Sequence, residues 1–261
     1  MAEHTRHAFR TAVAMTAVAM SAVAMTAVAL SRVTTVGGQV AGRNAPAQLT
    51  PAERASGWRL LFDGVTTNGW RGFKKSSFPE HGWVVEDGCL KHQATTGQDS
   101  HGGGDIITVD TFENFDLEFD WRIAPGGNSG VKYLVSEARN GPIAHEYQVI
   151  DDDAHPDAKI GRQRATASLY DVIPAPANKP LKPAGQLNHG RILVNGMHVE
   201  HWLNGVKVLE YELESDAVKA LIAKSKFRDE PGWGTKLKGP ILLQDHGDEV
   251  CFRNIRIREL K

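Results

Sequence analysis

The sequence predicts an all-β fold, an antiparallel β-sandwich with one short helix, and three observations carry that expectation. From about Gly57 onward, short apolar or alternating runs are separated by Gly, Pro, Asn and Asp, the punctuation of many short strands. Residues Phe115–Ile123 alternate cleanly: Phe115, Leu117, Phe119, Trp121 and Ile123 fall on one face, Asp116, Glu118, Asp120 and Arg122 on the other, as in a strand with one buried side. Within 191–211, Asn195-Gly196 and Asn204-Gly205 each sit between β-rich runs. Such pairs supply the positive φ angles that tight hairpins need, so a three-strand meander is expected there.

In chain order the expected strands are 58–62, 82–85, 89–93, 105–109, 115–123, 129–135, 145–150, 191–194, 197–203, 206–211, 240–244 and 250–258. Their number suits two stacked sheets. In the strand that follows the glycine turn Gly126-Gly127-Asn128-Ser129-Gly130, Val131, Tyr133 and Val135 are expected on one side and Lys132 on the other. The single helix is expected over 215–227, where Ala217, Val218, Leu221 and Ile222 recur at helical spacing behind Ser215 as N-cap. The stretch 174–185, rich in Pro, Ala and Lys, reads as a surface loop, because strands of the same character continue on both sides.

At 261 residues, 41% hydrophobic and 23% charged, the chain has an ordinary globular composition. A formal charge of -1 with no Lys/Arg stripe gives no footprint for nucleic acid or for an anionic membrane. Residues 1–47 differ in character. Arg6 and Arg10 precede a weakly apolar Ala/Val/Met/Thr repeat running to Leu30, the order of an export signal. Residues 1–47 are therefore assigned to a signal and disordered leader and 48–261 to the sandwich, with export to the periplasm or medium. Cleavage follows Ala45-Pro46-Ala47 or falls nearer Leu30, and a retained N-terminal anchor is the alternative. After cleavage no stable membrane association is expected. The two cysteines, Cys89 and Cys251, form one bridge in an oxidising compartment or are two small buried apolar residues.

Candidate chemistry lies on the strands and their rims. The carboxylates of 115–123 stand about 7 Å apart, a spacing that resembles the Glu-x-Asp-x-x-Glu row of sandwich-fold glycanases. The last position here is Ile123, so a two-carboxylate double displacement lacks its acid/base. Lys132, Glu146 and Gln148 are expected on one polar face, where a Lys–Glu pair perturbs pKa and an amide orients hydroxyls. The acidic loop Asp151-Asp152-Asp153 can offer oxygens to a cation such as Ca²⁺, with Asp151 as ligand, but it lacks the EF-hand spacing. His145-Glu146 is no His-Glu-x-x-His site, since residue 149 is Val, and His198 and His201 fall on opposite strand faces. The glycine-rich stretch from His101 to Asp105 lacks the ending of a phosphate loop and reads as a turn. Gln244 and His246 share a face at a strand end, and Trp70, Trp83, Trp202 and Trp233 offer flat surfaces for sugar rings.

Seven blocks, taken in order, carry a resemblance: Leu61-Phe62-Asp63-Gly64 with Gly69-Trp70; Trp83-Val84-Val85-Glu86-Asp87-Gly88; Phe115 through Arg122; Gly127-Asn128-Ser129-Gly130; Glu146 through Asp151; Glu200-His201-Trp202-Leu203-Asn204-Gly205; and Gln244-Asp245-His246-Gly247 through Arg253-Asn254-Ile255. Together they resemble the 3-keto-disaccharide hydrolase family over nearly all of residues 48–261. Cys251 departs from the pattern, where an aromatic residue is expected. The resemblance implies a concanavalin-like jelly roll and an exported enzyme that cleaves small carbohydrate glycosides already oxidised at C3. For such a substrate the expected catalytic residues are Glu146 as base, His201 or His246 as proton donor, and Lys132, or a cation near Asp151, at the enolate oxygen. Substrate binding falls to Gln148, Gln244, Asn128, Arg122, Trp202 and Asp120. A non-catalytic carbohydrate-binding module is the rival reading, since fold alone does not give function.

Overall fold

The computed structural model describes residues 47–95 and 102–261. The leader, with its cleavage points and anchor alternative, lies outside the described residues except for Ala47, and so does His101. Two antiparallel sheets face each other. The larger is ordered β11 (Val206–Glu212), β10 (His198–Leu203), β9 (Asn188–Asn195), β6 (Phe115–Ile123), β13 (Val250–Glu259), β4 (Cys89–His92) and β3 (Trp83–Glu86), and β1 (Trp58–Leu60) also pairs with β13. The smaller is ordered β2 (Trp70–Gly72), β5 (Ile106–Thr108), β12 (Leu242–Leu243), β7 (Asn128–Tyr133) and β8 (His145–Ile150). All twelve expected strands are present, 115–123 and 145–150 with their expected ends and the other ten with shifted ones, and the short β2 is an addition that its three residues were too few to announce.

The core fills the space between the sheets. Phe115, Leu117, Phe119, Trp121 and Ile123 of β6 meet Val131, Tyr133, Tyr147 and Val149 of β7 and β8, with the Phe119 and Tyr147 rings edge to face at 5.4 Å. The two hairpins form as expected, Asn204 and Gly205 both having positive φ.

Two expectations need correction. Val135 does not share the inner side with Val131 and Tyr133. Leu134 adopts a left-handed φ of 53°, which breaks the alternation, so Leu134 enters the main core and Val135 joins Ile107, Ala144 and Leu242 in a small separate apolar cluster. The helices number three rather than one among the described residues, plus a single 3-10 turn at Arg162–Arg164. Helix α1 (Pro51–Ala55) carries a Thr50/Glu53 capping box. Helix α2 (Pro156–Ile160) starts at His155, whose Nδ1 accepts from Asp157 N, inside what read as an acidic loop. Helix α3 (Asp216–Ile222) has Ser215 as N-cap but ends well before Phe227.

Candidate active site

Strands β7 and β8 pair in the register Lys132↔Glu146 and Gly130↔Gln148. By period two, Asn128, Gly130, Lys132, Glu146 and Gln148 therefore leave the sheet on the side away from the core. Gln244, whose N–H donates to Gly130 O (3.0 Å), extends the row from the end of β12. Over this row lies a cavity of about 300 Å³, lined by Asn128, Lys132, Glu146, Gln148, Gln244 and His246 from the expected set. Tyr170, Lys226, Phe227 and Glu230 close it from the loops.

Glu146 is 5% exposed, and Lys132 Nζ stands 3.7 Å from its Oε2. The Lys132 ammonium also donates to Pro142 O at 3.0 Å. The Gln148 carboxamide can be turned so that its nitrogen donates to Ser129 O (2.8 Å) and to Glu146 Oε1 (3.0 Å), an assignment that follows from the surrounding donors and acceptors. Burial lifts the Glu146 carboxyl above its ordinary value, while Lys132 and Lys226 pull the other way. A carboxylate raised in this way is a stronger proton acceptor than an ordinary one. Glycine is required at 130, because a Cβ there would lie 2.9 Å from Glu146 Cδ and overlap the carboxylate.

Lys226, Tyr170 and Phe227 were not anticipated. Lys226 Nζ sits 4.1 Å from the Tyr170 ring centroid and 5.2 Å from that of Phe227, and burial pushes its ammonium below the ordinary lysine value. The turn that presents it is fixed by Lys226 N donating to Asp171 Oδ2 (2.7 Å) and Phe227 N to Ser225 Oγ (3.0 Å). Reading 215–227 as one amphipathic helix concealed this. A Lys-aromatic pair beyond the last apolar helical position was the signal available.

The remaining candidates lie elsewhere. His201 is fully buried between the sheets, its Nδ1 donating to Ala167 O (3.0 Å) and its Nε2 accepting from Tyr133 OH (2.7 Å), and it does not line the cavity. Asp120, Arg122 and Trp202 belong to the outer face of the larger sheet. There Asp120 accepts from His189 Nδ1 (2.8 Å) and Asn254 Nδ2 (2.7 Å), and Trp202 stacks under Arg191. The carboxylate row of β6 is a cross-strand ion-pair ladder, with Asp116 bound by Arg191 and Arg258 and Glu118 by Arg256. Trp70, Trp83 and Trp233 are buried, and the aromatic surface of the cavity comes from Tyr170 and Phe227.

Asp151 is spent on backbone amides: Oδ2 accepts from Gly126 N (2.7 Å), Oδ1 from Asp153 N (2.9 Å) and Ala154 N (3.2 Å). Asp152 meets Lys179 at 2.6 Å, so two of the three carboxylates of this loop are engaged by groups of the protein itself. Among the described residues, two side-chain groups converge closely enough for a cation, His155-His246-Asp248 and His198-Glu200-Glu210, and neither includes Asp151. In the first, His155 Nδ1 accepts a backbone N–H, which places the proton on Nε2 and leaves no lone pair there for a metal.

Fold and cavity together define a class: an antiparallel jelly-roll sandwich with a buried carboxylate flanked by lysines on the outer face of its smaller sheet. The model of the 3-keto-α-glucoside-1,2-lyase-like domain matches residues 57–258, and the chain belongs to that family. A Bacteroides thetaiotaomicron protein named 3-keto-disaccharide hydrolase is 42% identical over 234 residues, 79% of each chain. Two solved Parabacteroides distasonis structures, both provisionally described as glycosyl hydrolases, also resemble it. One is 33% identical with a TM-score of 0.73, covering 83% of this chain and all of that one. The other is 27% identical with a TM-score of 0.60, covering 78% and 99%.

Proposed function

We propose that the chain cleaves glycosides oxidised at C3, with Glu146 as the base that takes the C2 proton. The observation that carries this reading is the single buried carboxylate beside Lys132 at 3.7 Å in a cavity walled by polar and aromatic groups. A ketone at C3 acidifies C2–H. Glu146 takes that proton, the C2–H electron pair becomes the enolate, and the negative charge at the C3 oxygen falls beside the ammonium of Lys132 or Lys226. The enolate then expels the C1 oxygen, which His246 protonates from the cavity rim. Water adds back across C1 and C2, with its oxygen at C1 and a proton at C2, so the net change is hydrolysis. Gln148, Asn128 and Gln244 hold the ring hydroxyls. The names of the relatives support this substrate class.

Export is part of the proposal. A disulfide joins Cys89 and Cys251, a bond that persists in oxidising compartments, and among the described residues no helix is long and apolar enough to cross a membrane.

The test compares wild type with Glu146→Gln on a 3-keto-glucoside and its unoxidised parent. Wild type is expected to release the aglycone from the keto sugar alone, and the variant to lose at least about a hundredfold in rate. A protein that binds both sugars and cleaves neither would instead be a carbohydrate-binding module.

A further inference from the structure

We propose that a second cavity, adjoining the first, seats the leaving group, and that it takes another pyranose ring stacked on Phe73. This rests on the proposed function above. The second cavity, about 410 Å³, is lined by Phe73, Lys75, Asp105, Pro142, Gln244 and His246 among others, and it shares Pro142, Gln244 and His246 with the first. Neither Lys132 nor Glu146 lines it, so a ring there is held without being deprotonated. His246 and Gln244 stand at the seam, where the bond between two rings would lie.

Phe73 is a prepared platform. Its turn is pinned by Arg71, which donates to both oxygens of Glu137 (2.8 and 2.7 Å) and to Lys75 O (3.0 Å), while Lys74 N donates to Glu137 Oε1 (2.9 Å). The backbone of Phe73 is tied to Asp105 O (2.8 Å), and its ring packs against the small cluster of Ile107, Val135, Ala144 and Leu242 while staying partly exposed. An aromatic face at the border of a polar hollow suits the C–H face of a sugar. Lys75, which lines the same cavity, adds a donor for hydroxyls.

The opposite wall is rigid. Asp245 accepts from Gly104 N (2.8 Å) and Gly247 N (2.8 Å) and lies 3.0 Å from His92 Nε2, and Trp83 Nε1 donates to Gly104 O (2.9 Å). At the shared wall, Gln244 Oε1 is buried with no hydrogen-bond partner among the described residues, so a turn of the carboxamide towards a sugar hydroxyl at the seam breaks no hydrogen bond of that oxygen.

The experiment uses 3-keto-trehalose and methyl 3-keto-α-glucoside, which share the reacting ring and differ in the leaving group. Phe73→Leu keeps the packing against the small cluster and removes the platform. The expected result is a loss of about 3- to 10-fold in kcat/KM on 3-keto-trehalose with the methyl glycoside unchanged. Equal loss on both substrates, or none on either, overturns the subsite. Saturation-transfer NMR with free glucose is the second readout, its signal expected from wild type and lost in Phe73→Leu. If wild type cleaves neither substrate, the proposed function fails, and the subsite then stands or falls on the glucose signal alone; a signal unchanged in the variant overturns it.

Discussion

Gly130 and Glu146 sit on neighbouring strands so close that the carboxylate occupies the space a side chain at 130 would fill. The proposed base is thus positioned by an absence. Gly130→Ala is expected to push the carboxylate aside and lower kcat by about a hundredfold, the usual effect of misplacing a reacting group by about 1 Å. The far-UV spectrum should not change, and full activity in a folded variant would show that the placement of Glu146 is not critical.

Burial raises the Glu146 carboxyl above its ordinary value. A carboxyl raised in the folded state favours folding below its unfolded pKa, and that contribution is lost as pH rises through the folded value. Glu146→Gln removes the penalty of a buried charge. The variant should melt higher than wild type at pH 8, with the gap closing as pH falls towards 4. Thermal melts across this range check it, and a variant less stable at pH 8 would contradict the assignment.

Inside the sandwich, the hydrogen bonds have only one consistent direction. His201 Nδ1 donates to Ala167 O, so its Nε2 accepts from Tyr133 OH, which accepts from Tyr211 OH, which in turn accepts from His145 Nδ1. Burial pushes His145 down to about 3 and His201 down to about 4. Their contribution to stability is complete above the ordinary histidine pKa of about 6.5 and is lost as pH falls from there towards 4 and 3. Urea midpoints should drop steadily below pH 6.5. Tyr133→Phe, which leaves His201 Nε2 and Tyr211 OH without their partner, should cost about 1–3 kcal/mol at pH 7. A flat pH dependence, or a neutral Tyr133→Phe, would rule out this network as described.

The Cys89–Cys251 bond closes a loop over a sequence separation of 162, and loops of that size are stabilised by roughly 2–5 kcal/mol through the entropy of the unfolded chain. Replacing both cysteines by alanine should lower stability by that amount and leave kcat intact. Mass spectrometry of protein recovered from the periplasm or medium should find no free thiol, and two free thiols would count against export through an oxidising compartment.

Much of the fold was legible because alternation and hairpin chemistry are local signals. Phe115–Ile123 and His145–Ile150 appear with their expected ends, and Asn204-Gly205 turns as its residue types require. The same period-two argument placed Lys132, Glu146 and Gln148 on one face. It could not say which sheet that face belongs to, so Asp120, Arg122 and Trp202, equally polar and equally alternating, were grouped with them although they point out of the opposite side of the sandwich. His201 shows the complementary limit. A histidine on a core-facing position of β10 is satisfied by Tyr133 and Ala167, partners that only the packing of the two sheets supplies. Lys226 and Tyr170 come from loops, where no periodicity marks a side chain that turns inwards.

The central claim is that Glu146 removes the proton at C2, and isotope incorporation tests it most directly. Turnover of a 3-keto-glucoside in D₂O, followed by NMR at early times, should place one deuteron at C2 of the released keto sugar with wild type, and none above the enzyme-free blank with Glu146→Gln. Product formed by wild type with its original C2 hydrogen retained, or a variant that exchanges as fast as wild type, would contradict the account.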